Sequence, residues 1–360
     1  MSAKRNICFF NTTKFWGGGE KWHFEAAEMM SKTQNKTFFI CDRESELSNR
    51  LAGINVTQFH ITANNLSFLN AAKVNRLVQF LKNNKVDTVI FNSPKDLKLG
   101  GKAAQKAGVK NIVYRRGIAV GVKKKRMTAN LFKNVVTHFI FNSNTTKKLL
   151  IKHYKQIVDA KKSAIIYNAI EFPKEVEKLA NLSPNSQIII GNAGRLVTQK
   201  AQHYLIDIAK KLKNKNLDFK ILVAGEGPLY GGLQEEIEKQ NLNKHIELLG
   251  FVNDMNSFME QIDIFVSTAL WEGFGFVLAE AMVAKKPVLA FDLSSNPELV
   301  TDGENGFLIP PNNIDLFAEK LAELINDESL RNEMGERAHT FAKTNFEKGS
   351  QFQKLLDFIA

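Results

Sequence analysis

Short apolar runs alternate along the chain with longer stretches in which apolar residues recur every three or four positions. The first pattern predicts buried strands and the second predicts amphipathic helices. In the first half the predicted strands are Ile7–Asn11, Thr37–Cys41, Val86–Phe91, Asn111–Tyr114, Phe139–Asn142 and Ala164–Tyr167. The helices predicted between them are Trp22–Ser31, Asn70–Leu81 and Leu99–Ala107. This alternation is typical of parallel sheets wound by crossover helices.

The second half of the chain repeats the alternation. Its predicted strands are Ile188–Gly191, Phe219–Ala224, His245–Leu248, Ile264–Ser267 and Pro287–Ala290. Its predicted helices are His203–Lys213, Val277–Ala284, Ile314–Ile325, Glu328–Ala342 and Phe346–Ala360. Each half therefore has enough units for a parallel sheet of its own.

The predicted elements divide the chain into two doubly wound α/β domains. The first covers residues 1–169 and the second covers residues 170–345, with the link near Ala169–Pro184. We expect the final helix, residues 346–360, to pack back on the first domain. Ligands of open parallel sheets bind outside the carboxyl ends of the strands, so we expect two Rossmann-like domains that face one another across a ligand-binding cleft.

The composition is that of a folded globular protein. The 360 residues are 44% hydrophobic and 24% charged, and no run of 18 apolar residues is free of charge, which excludes a membrane-spanning helix. The start of the chain lacks the long apolar region of a secretory signal, so we expect a cytoplasmic protein. Cys8 and Cys41 lie in predicted buried strands, where reduced core thiols are expected.

Charge is distributed unevenly between the halves. Residues 1–170 hold 30 Lys and Arg against 9 Asp and Glu, whereas residues 171–360 hold 19 against 28. A basic half favours an anionic partner: a membrane surface, an acidic glycolipid, a phosphorylated substrate or a nucleic acid. A lysine-rich solvated surface without any partner is the alternative.

Two glycine loops are candidate anion sites. Gly17–Gly19 follows the first strand and opens a helix, where backbone amides can hold an anion, although a tight turn without a ligand has the same pattern. Gly191–Arg195 follows the first strand of the second half, with Lys200 five residues beyond. Two cations beside a glycine turn favour a nucleotide diphosphate, because Arg can clamp phosphate oxygens and Lys acts as a point charge.

A stretch late in the second half concentrates glycines and carboxylates. Glu272 and Glu280 stand eight positions apart, and Gly273 and Gly275 precede an apolar helix. Glu272 is therefore expected on a loop and Glu280 about one turn into the helix. A carboxylate in an apolar helix needs a partner that offsets its desolvation, and ligand hydroxyls are good candidates.

From Gly191 to about Pro311 the chain resembles the donor-binding domain of retaining GT-B glycosyltransferases of family 4. The elements of the resemblance occur in order: Gly191–Arg195 with Lys200, Val223–Pro228, Gly250–Val252, the pair Glu272 and Glu280, and Pro297–Val300 with Asn305–Leu308. The first half is similar only in outline, through Gly17–Gly19, Asn142-Ser143 and Tyr167–Ile170.

The resemblance implies a retaining, metal-independent hexosyltransferase that needs a nucleotide-sugar, with a UDP-sugar favoured, and no cofactor. Arg195, Lys200 and Glu272 are then the catalytic candidates. Arg195 and Lys200 would hold the donor diphosphate and stabilise the departing nucleotide. Glu272 would bind the transferred sugar and Glu280 the ribose. Further donor contacts are expected at Gly18, Gly19, Gly194, Gly250, Phe251, Val252, Gly273, Phe274, Gly275, Phe276 and Val277.

One position departs from the family pattern. Many relatives have a His after the strand that corresponds to Asn111–Tyr114, whereas this chain has Arg115 and Arg116. Either Arg could contact an anionic acceptor, but neither can act as a base at neutral pH. This favours a front-face displacement in which the leaving phosphate accepts the acceptor proton.

A basic cluster, Lys123–Arg126, precedes apolar residues at helical spacing. The pattern fits a surface helix that lies on anionic lipid. It fits equally a core-facing helix with a solvated basic start.

The resemblance implies sugar transfer to a glycan or glycolipid acceptor, and the basic first half favours lipopolysaccharide or other surface polysaccharide assembly, with peripheral contact to an anionic membrane. A nucleotide-sugar epimerase on the same architecture is an alternative, although it needs catalytic acids in both halves. A basic nucleic-acid binder is another, but its stacking aromatics are not interleaved with the basic residues. A sugar-binding protein is a third alternative, and it would not need Arg195 and Lys200.

Overall fold

A computed structural model describes residues 4–121, 124–172 and 187–360 of the chain. The chain forms two compact units. Unit 1 comprises Met1–Ala169 and Gly349–Ala360, and unit 2 comprises Ile170–Lys348. Most of the predicted link, with Pro173 and Pro184, lies outside the described residues, as does Lys123 of the basic cluster.

Unit 1 is built on a seven-stranded parallel sheet with the order β3-β2-β1-β4-β5-β6-β7. Its strands are β1 Asn6–Phe10, β2 Lys36–Cys41, β3 Thr57–His60, β4 Thr88–Phe91, β5 Asn111–Arg116, β6 His138–Phe141 and β7 Lys162–Ile165. Its helices are α1 Gly18–Ser31, α2 Glu46–Leu51, α3 Ala71–Asn83, α4 Pro94–Ala107, α5 Arg126–Asn134, α6 Asn144–Asp159 and α14 Lys348–Phe358, with a short 3₁₀ helix at Ser67–Leu69.

Alternate residues of β1 enter two separate apolar cores on the two faces of this sheet. Ile7 and Phe9 pack on one face, and Cys8 and Phe10 pack on the other. The period of two follows from strand geometry, and burial of both sets explains why the run is apolar throughout. The face of Ile7 and Phe9 is covered in part by α14, through Leu355 among others.

Unit 2 contains a six-stranded parallel sheet with the order β10-β9-β8-β11-β12-β13. Its strands are β8 Ile188–Ala193, β9 Phe219–Ala224, β10 Ile246–Gly250, β11 Ile264–Ser267, β12 Val288–Phe291 and β13 Gly306–Ile309. Its helices are α7 His203–Asn214, α8 Tyr230–Lys239, α9 Met255–Gln261, α10 Phe276–Val283, α11 Asn296–Leu299, α12 Ile314–Asn326 and α13 Glu328–Phe346. Strand order reverses between β8 and β11, which is where open parallel sheets bind ligands.

The helix after the basic cluster, for which a lipid surface and a core-facing position were both open, is packed into unit 1. Leu131 and Phe132 of α5 are buried in the core, together with Val135 and Val136 that follow it. Because these apolar side chains are enclosed, the core-facing alternative holds for α5. None of the described helices is long and apolar enough to cross a bilayer.

Candidate active site

Three loops at the carboxyl edge of the unit 2 sheet are joined backbone to backbone. The amide of Gly194, after β8, donates to the carbonyl of Ala224 at 2.9 Å. The amide of Gly225, after β9, donates to the carbonyl of Gly250 at 2.7 Å. Each loop is therefore held by the next. We call these three loops, which follow β8, β9 and β10, the loop frame of the candidate site.

This frame requires glycine because the loops approach one another closely. Gly225 has φ +143°, and a Cβ there would lie 2.0 Å from the carbonyl oxygen of Gly194. A Cβ on Gly227 would lie 2.3 Å from the carbonyl oxygen of Leu196. Backbone atoms cannot move aside as a flexible side chain can. Positions 225 and 227 therefore need glycine because each lies against the backbone of a neighbouring loop.

Lys200 and Glu272 form an ion pair on this frame, which joins two of the residues predicted to be catalytic. The Lys200 ammonium contacts a Glu272 carboxylate oxygen, and the two side chains are 19% and 22% exposed. The stem of Lys200 runs over Gly194, whose missing Cβ would stand 3.1 Å from Lys200 Cε. A mostly enclosed, paired cation and carboxylate can exchange partners with a ligand that carries both phosphate and hydroxyl groups.

Backbone contacts hold the two members of the pair in place. The hydroxyl of Ser294 accepts from the Glu272 amide at 3.0 Å and donates to the Glu272 carbonyl at 2.7 Å, and Ser295 donates to the same carbonyl at 3.0 Å. On the other side, the Thr268 hydroxyl donates to the Lys200 carbonyl at 2.9 Å. Sequence reasoning missed both serines, although their position directly after β12 marks them as residues of the carboxyl edge.

Gln199 joins the loop of Lys200 to the loop of Glu272 a second time. Its carbonyl accepts from the Leu270 amide at 2.9 Å, and its side-chain amide donates to the Trp271 carbonyl at 2.7 Å. The ion pair is therefore set by two loops whose backbones are fixed to each other.

Arg195 is an exposed cation on the same loop as Lys200. Its carbonyl accepts from the side chain of buried Gln202 at 3.2 Å. Its guanidinium forms no hydrogen bond or ion pair with any residue that the structure describes. Because Glu272 neutralises Lys200, Arg195 supplies the unneutralised positive charge of this loop.

Asn192, at the end of β8, is a buried residue whose possible role in the site was not predicted. Its side-chain amide donates to the Val266 carbonyl of β11 at 2.8 Å. Its side-chain oxygen has no hydrogen-bond partner among the described residues. Asn192 therefore links β8 to β11, the two strands between which strand order reverses.

The predicted loop Gly273–Val277 leads into α10. Gly275 precedes the helix with φ +90°, a conformation that favours glycine. Phe274 is buried, and its ring packs edge-on against Phe276 at 5.8 Å and Phe346 at 5.1 Å. The Phe274 side chain therefore belongs to the core, so that only its backbone could meet a ligand, whereas Glu280 is partly exposed on α10.

The end of β10 carries the residues predicted to meet the base. Gly250 has φ +69°, and the next residue, Phe251, is 71% exposed, with Val252 partly buried. An exposed aromatic ring next to a glycine turn offers a surface on which a flat ring can stack.

In unit 1, the glycine loop lies against the end of β4. Gly17 precedes α1, which begins at Gly18. A Cβ on Gly19 would lie 2.2 Å from the side-chain nitrogen of Asn92. Glycine at position 19 is thus accounted for by this contact, whether or not an anion binds at the helix N-terminus.

Arg115 is a buried residue of unit 1, contrary to the expectation of an acceptor contact. It is 1% exposed and donates to the side-chain oxygens of Asn92 at 2.9 Å and Asn168 at 2.5 Å. Its guanidinium also stands 4.2 Å from the centre of the Trp22 ring. Burial lowers the pKa of Arg115 to about 9, so the group stays charged at neutral pH. These contacts make Arg115 a bridge between loops.

Arg116 is also largely buried, and its guanidinium donates to the Val120 carbonyl. Arg115 is thus too deeply buried for the expected acceptor contact, because its guanidinium is turned towards Asn92 and Asn168. The acceptor contact expected of Arg116 stays a prediction.

Comparison with known proteins follows the division into units. Residues 173–341 match the model "Glycosyl transferases group 1", and residues 16–172 match the model "Glycosyltransferase Family 4". The poly(ribitol-phosphate) alpha-N-acetylglucosaminyltransferase of Staphylococcus aureus is 27% identical over 313 residues, which span 84% of this chain and 62% of that protein. The UDP-Gal:alpha-D-GlcNAc-diphosphoundecaprenol alpha-1,3-galactosyltransferase of Escherichia coli is 28% identical over 351 residues, which span 91% and 90%.

Among solved structures, Anabaena HepE in complex with UDP and glucose has the same fold, with a TM-score of 0.79, 23% identity and 98% of each chain covered. The parallel sheets of seven and six strands agree with its two Rossmann-like domains. The expected fold class is thereby confirmed. The two matched models together account for most of the chain, and the protein belongs to the group 1, family 4 glycosyltransferases of the GT-B fold.

Proposed function

We propose that this glycosyltransferase moves a hexose from a UDP-sugar to a phosphate-bearing glycan or lipid-linked acceptor, with retention at the anomeric carbon. The observation that carries the proposal is the arrangement of Arg195, Lys200 and Glu272 on joined loops at the carboxyl edge of the unit 2 sheet. A cation that has no partner among the described residues suits a diphosphate, and a carboxylate held beside a second cation suits sugar hydroxyls.

The donor roles remain those implied by the family resemblance. Arg195 and Lys200 hold the diphosphate, Glu272 the transferred sugar and Glu280 the ribose. The exposed ring of Phe251 supports a base at the end of β10. Contacts from Gly18 and Gly19 of unit 1 stay a prediction.

The chemistry proposed is a front-face displacement. The acceptor oxygen bonds to the anomeric carbon while the bond from that carbon to the phosphate oxygen breaks on the same face, and the acceptor proton passes to the leaving phosphate. Glu272 is engaged by Lys200, which disfavours a role as a covalent nucleophile. Arg195 and Lys200 stabilise the charge that develops on the diphosphate.

We propose that no metal ion is needed for this step. No cluster of three or more His, Cys, Asp or Glu side chains that could hold a metal occurs within the described part of the chain. The two cations of the loop after β8 can take over the neutralisation of the diphosphate. Transfer in the presence of a chelator should equal transfer in its absence, and loss of activity that magnesium or manganese restores would refute metal independence.

The choice of substrates is supported by the relatives. One is named for a UDP-Gal donor and a diphosphoundecaprenol-linked acceptor, and another for poly(ribitol-phosphate). Both acceptors carry phosphate, which fits the 30 Lys and Arg against 9 Asp and Glu in residues 1–170. We therefore place the reaction in surface polysaccharide assembly at the cytoplasmic face of a membrane, without a nucleic-acid partner. Family membership disfavours the epimerase alternative.

Donor binding gives the first test. Isothermal titration of the purified chain with UDP, GDP and ADP should give binding to UDP that Arg195→Ala removes. Arg337→Ala is the matched control, because Arg337 is an exposed residue of unit 2 that pairs with Glu333. If the chain binds none of these nucleotides, or if Arg195→Ala binds UDP as the parent does, the proposed site is wrong.

Stereochemistry gives the second test. Proton NMR of the initial transfer product from an α-linked UDP-hexose should show the small anomeric coupling of an α-linkage. A β-linked initial product would refute retention while leaving the donor site intact.

A further inference from the structure

Helix α4 presents a row of lysines on its outer surface. Lys95, Lys98, Lys102 and Lys106 recur every three or four residues and therefore share one helix face, and none of them is buried. The one acidic residue of the helix, Asp96, is buried and bonded to Thr12 and Ser93. Lys95 donates to the Thr12 carbonyl at 3.3 Å and lies near Asp96, whereas Lys98, Lys102 and Lys106 have no acidic partner on the helix.

Two exposed leucines stand beside this row. The 3₁₀ helix Ser67–Leu69 packs against α4, and the Lys102 ammonium lies 5.7 Å from the centre of the Phe68 ring. Leu66 and Leu69 are 67% and 68% exposed, so their side chains project into solvent next to the lysines. Apolar surface in contact with water is unfavourable, so transfer of these two side chains out of water would be favourable.

A second basic group lies at the start of α5, a helix that packs against α4. The side-chain amide of Gln105 on α4 donates to the Asn134 carbonyl at the end of α5, at 2.9 Å. The start of α5 carries exposed Lys124, Lys125 and Arg126. Leu131 and Phe132 of α5 are buried, whereas Met127 beside Arg126 is 42% exposed, so α5 adds one exposed apolar side chain to those of Leu66 and Leu69.

We propose that the α4 lysine row together with Leu66 and Leu69 docks unit 1 onto an anionic lipid bilayer. Lysines above a negatively charged surface and aliphatic side chains at the acyl boundary form the combination that such a bilayer binds. A nucleic acid would instead call for exposed aromatic rings among the lysines. The inference rests on the proposed function in one respect: docking on the bilayer would bring the enzyme to an acceptor that is linked to lipid.

Vesicle sedimentation of the full chain tests the surface without any transfer reaction. Phosphatidylcholine vesicles with phosphatidylglycerol are compared with vesicles of phosphatidylcholine alone. The Lys98→Gln/Lys102→Gln variant should bind the anionic vesicles about 25-fold more weakly, since each basic residue near the surface contributes about fivefold. Its matched control is Lys215→Gln/Lys244→Gln, which removes two exposed lysines of unit 2.

The contribution of the leucines to vesicle binding can be told from that of the lysines by its dependence on salt. Leu66→Ser/Leu69→Ser should weaken binding severalfold while the dependence on salt stays as in the parent, because salt screens the lysines and not the aliphatic contact. The lysine variant should instead have a flatter salt dependence. UDP titration of each variant, with parental affinity expected, checks that the fold and the donor site are intact.

Three results would overturn the proposal: equal binding of the parent to both vesicle types, equal binding of the α4 variant and its control, or binding of an RNA oligonucleotide that the α4 variant loses while vesicles stay unbound. Failure of UDP to bind the parent would instead refute the donor site, and the vesicle result would stand by itself.

Discussion

Substitution of Gly225 by Ala is the sharpest test of the loop frame that carries the candidate site. The new Cβ would lie 2.0 Å from the carbonyl oxygen of Gly194, and neither atom can rotate away, because the Cβ is bonded directly to the backbone and the oxygen belongs to it. The loops after β8 and β9 must therefore part by about 1 Å or more before the contact becomes tolerable. Such a movement stretches the bonds from Gly194 to Ala224 and from Gly225 to Gly250.

The magnitude follows from these contacts. Overpacking against an unyielding neighbour costs about 1–3 kcal/mol, and each weakened hydrogen bond costs about 1 kcal/mol. We expect Gly225→Ala to lower the free energy of unfolding of unit 2 by about 3–5 kcal/mol, which sums the overpacking and the two weakened hydrogen bonds. We also expect loss of UDP binding, because the displaced loop carries Arg195 and Lys200.

Urea denaturation and UDP titration measure the two effects. Gly231→Ala and Gly232→Ala in α8 are matched controls, since a Cβ at either position meets nothing within 4 Å. Both controls should equal the parent or be more stable by up to about 1 kcal/mol. A Gly225→Ala protein with parental stability and parental UDP affinity would refute the close approach of the loops.

Three further experiments concern ionisable side chains that are buried or partly enclosed: the pair Lys200 and Glu272, Arg115, and His23. Lys200→Met and Glu272→Gln should each destabilise by about 1–3 kcal/mol in urea denaturation, with the double variant losing less than the sum, because each single change leaves a partly enclosed charge without its partner. Arg115→Lys should destabilise unit 1 by about 2–4 kcal/mol, since an ammonium cannot reproduce the forked contact to two side chains. Burial lowers the pKa of His23 well below its ordinary value of 6.5. The unfolded chain therefore binds more protons, so stability should be complete above pH 6.5 and fall as the pH drops below it, and His23→Phe should reduce that dependence in denaturation at several pH values.

Each of these outcomes has a contrary result. Additive effects of Lys200→Met and Glu272→Gln would mean that the pair does not interact. A fully stable Arg115→Lys protein would mean that the bridge is dispensable. An unchanged slope of stability against pH in His23→Phe would assign the acid sensitivity to other groups.

The sequence pattern predicted the elements that are buried and regular. Strand β9 has the predicted bounds, because an apolar run bracketed by charged and glycine residues is a strong local signal. Strand β3 was missed, since Thr57–His60 has one large apolar residue and its identity depends on pairing with β2. Helix α6 was also missed, since four lysines interrupt its apolar stripe.

In the candidate site too, residues with a local sequence signal could be predicted and residues that depend on distant contacts could not. Gly194, Lys200 and Glu272 could be singled out because glycines and charges after strands are visible locally. Ser294 could not, since its contact with Glu272 arises only when the loops after β11 and β12 meet. Arg115 was misjudged because its partners stand 23 and 53 positions away, and the pattern around a residue does not disclose distant acceptors.

Helix α14 has a consequence for the order in which the protein is made. It belongs to unit 1, where Arg5 and Asn111 donate to the Ile359 carbonyl, yet it follows the whole of unit 2 in the chain. During synthesis the strands of the seven-stranded sheet emerge first, and the face of Ile7 and Phe9 stays partly uncovered until residues 349–360, which follow unit 2, have been made. A chain that stops before Gly349 would keep that apolar face open, which makes it a substrate for chaperones and proteases.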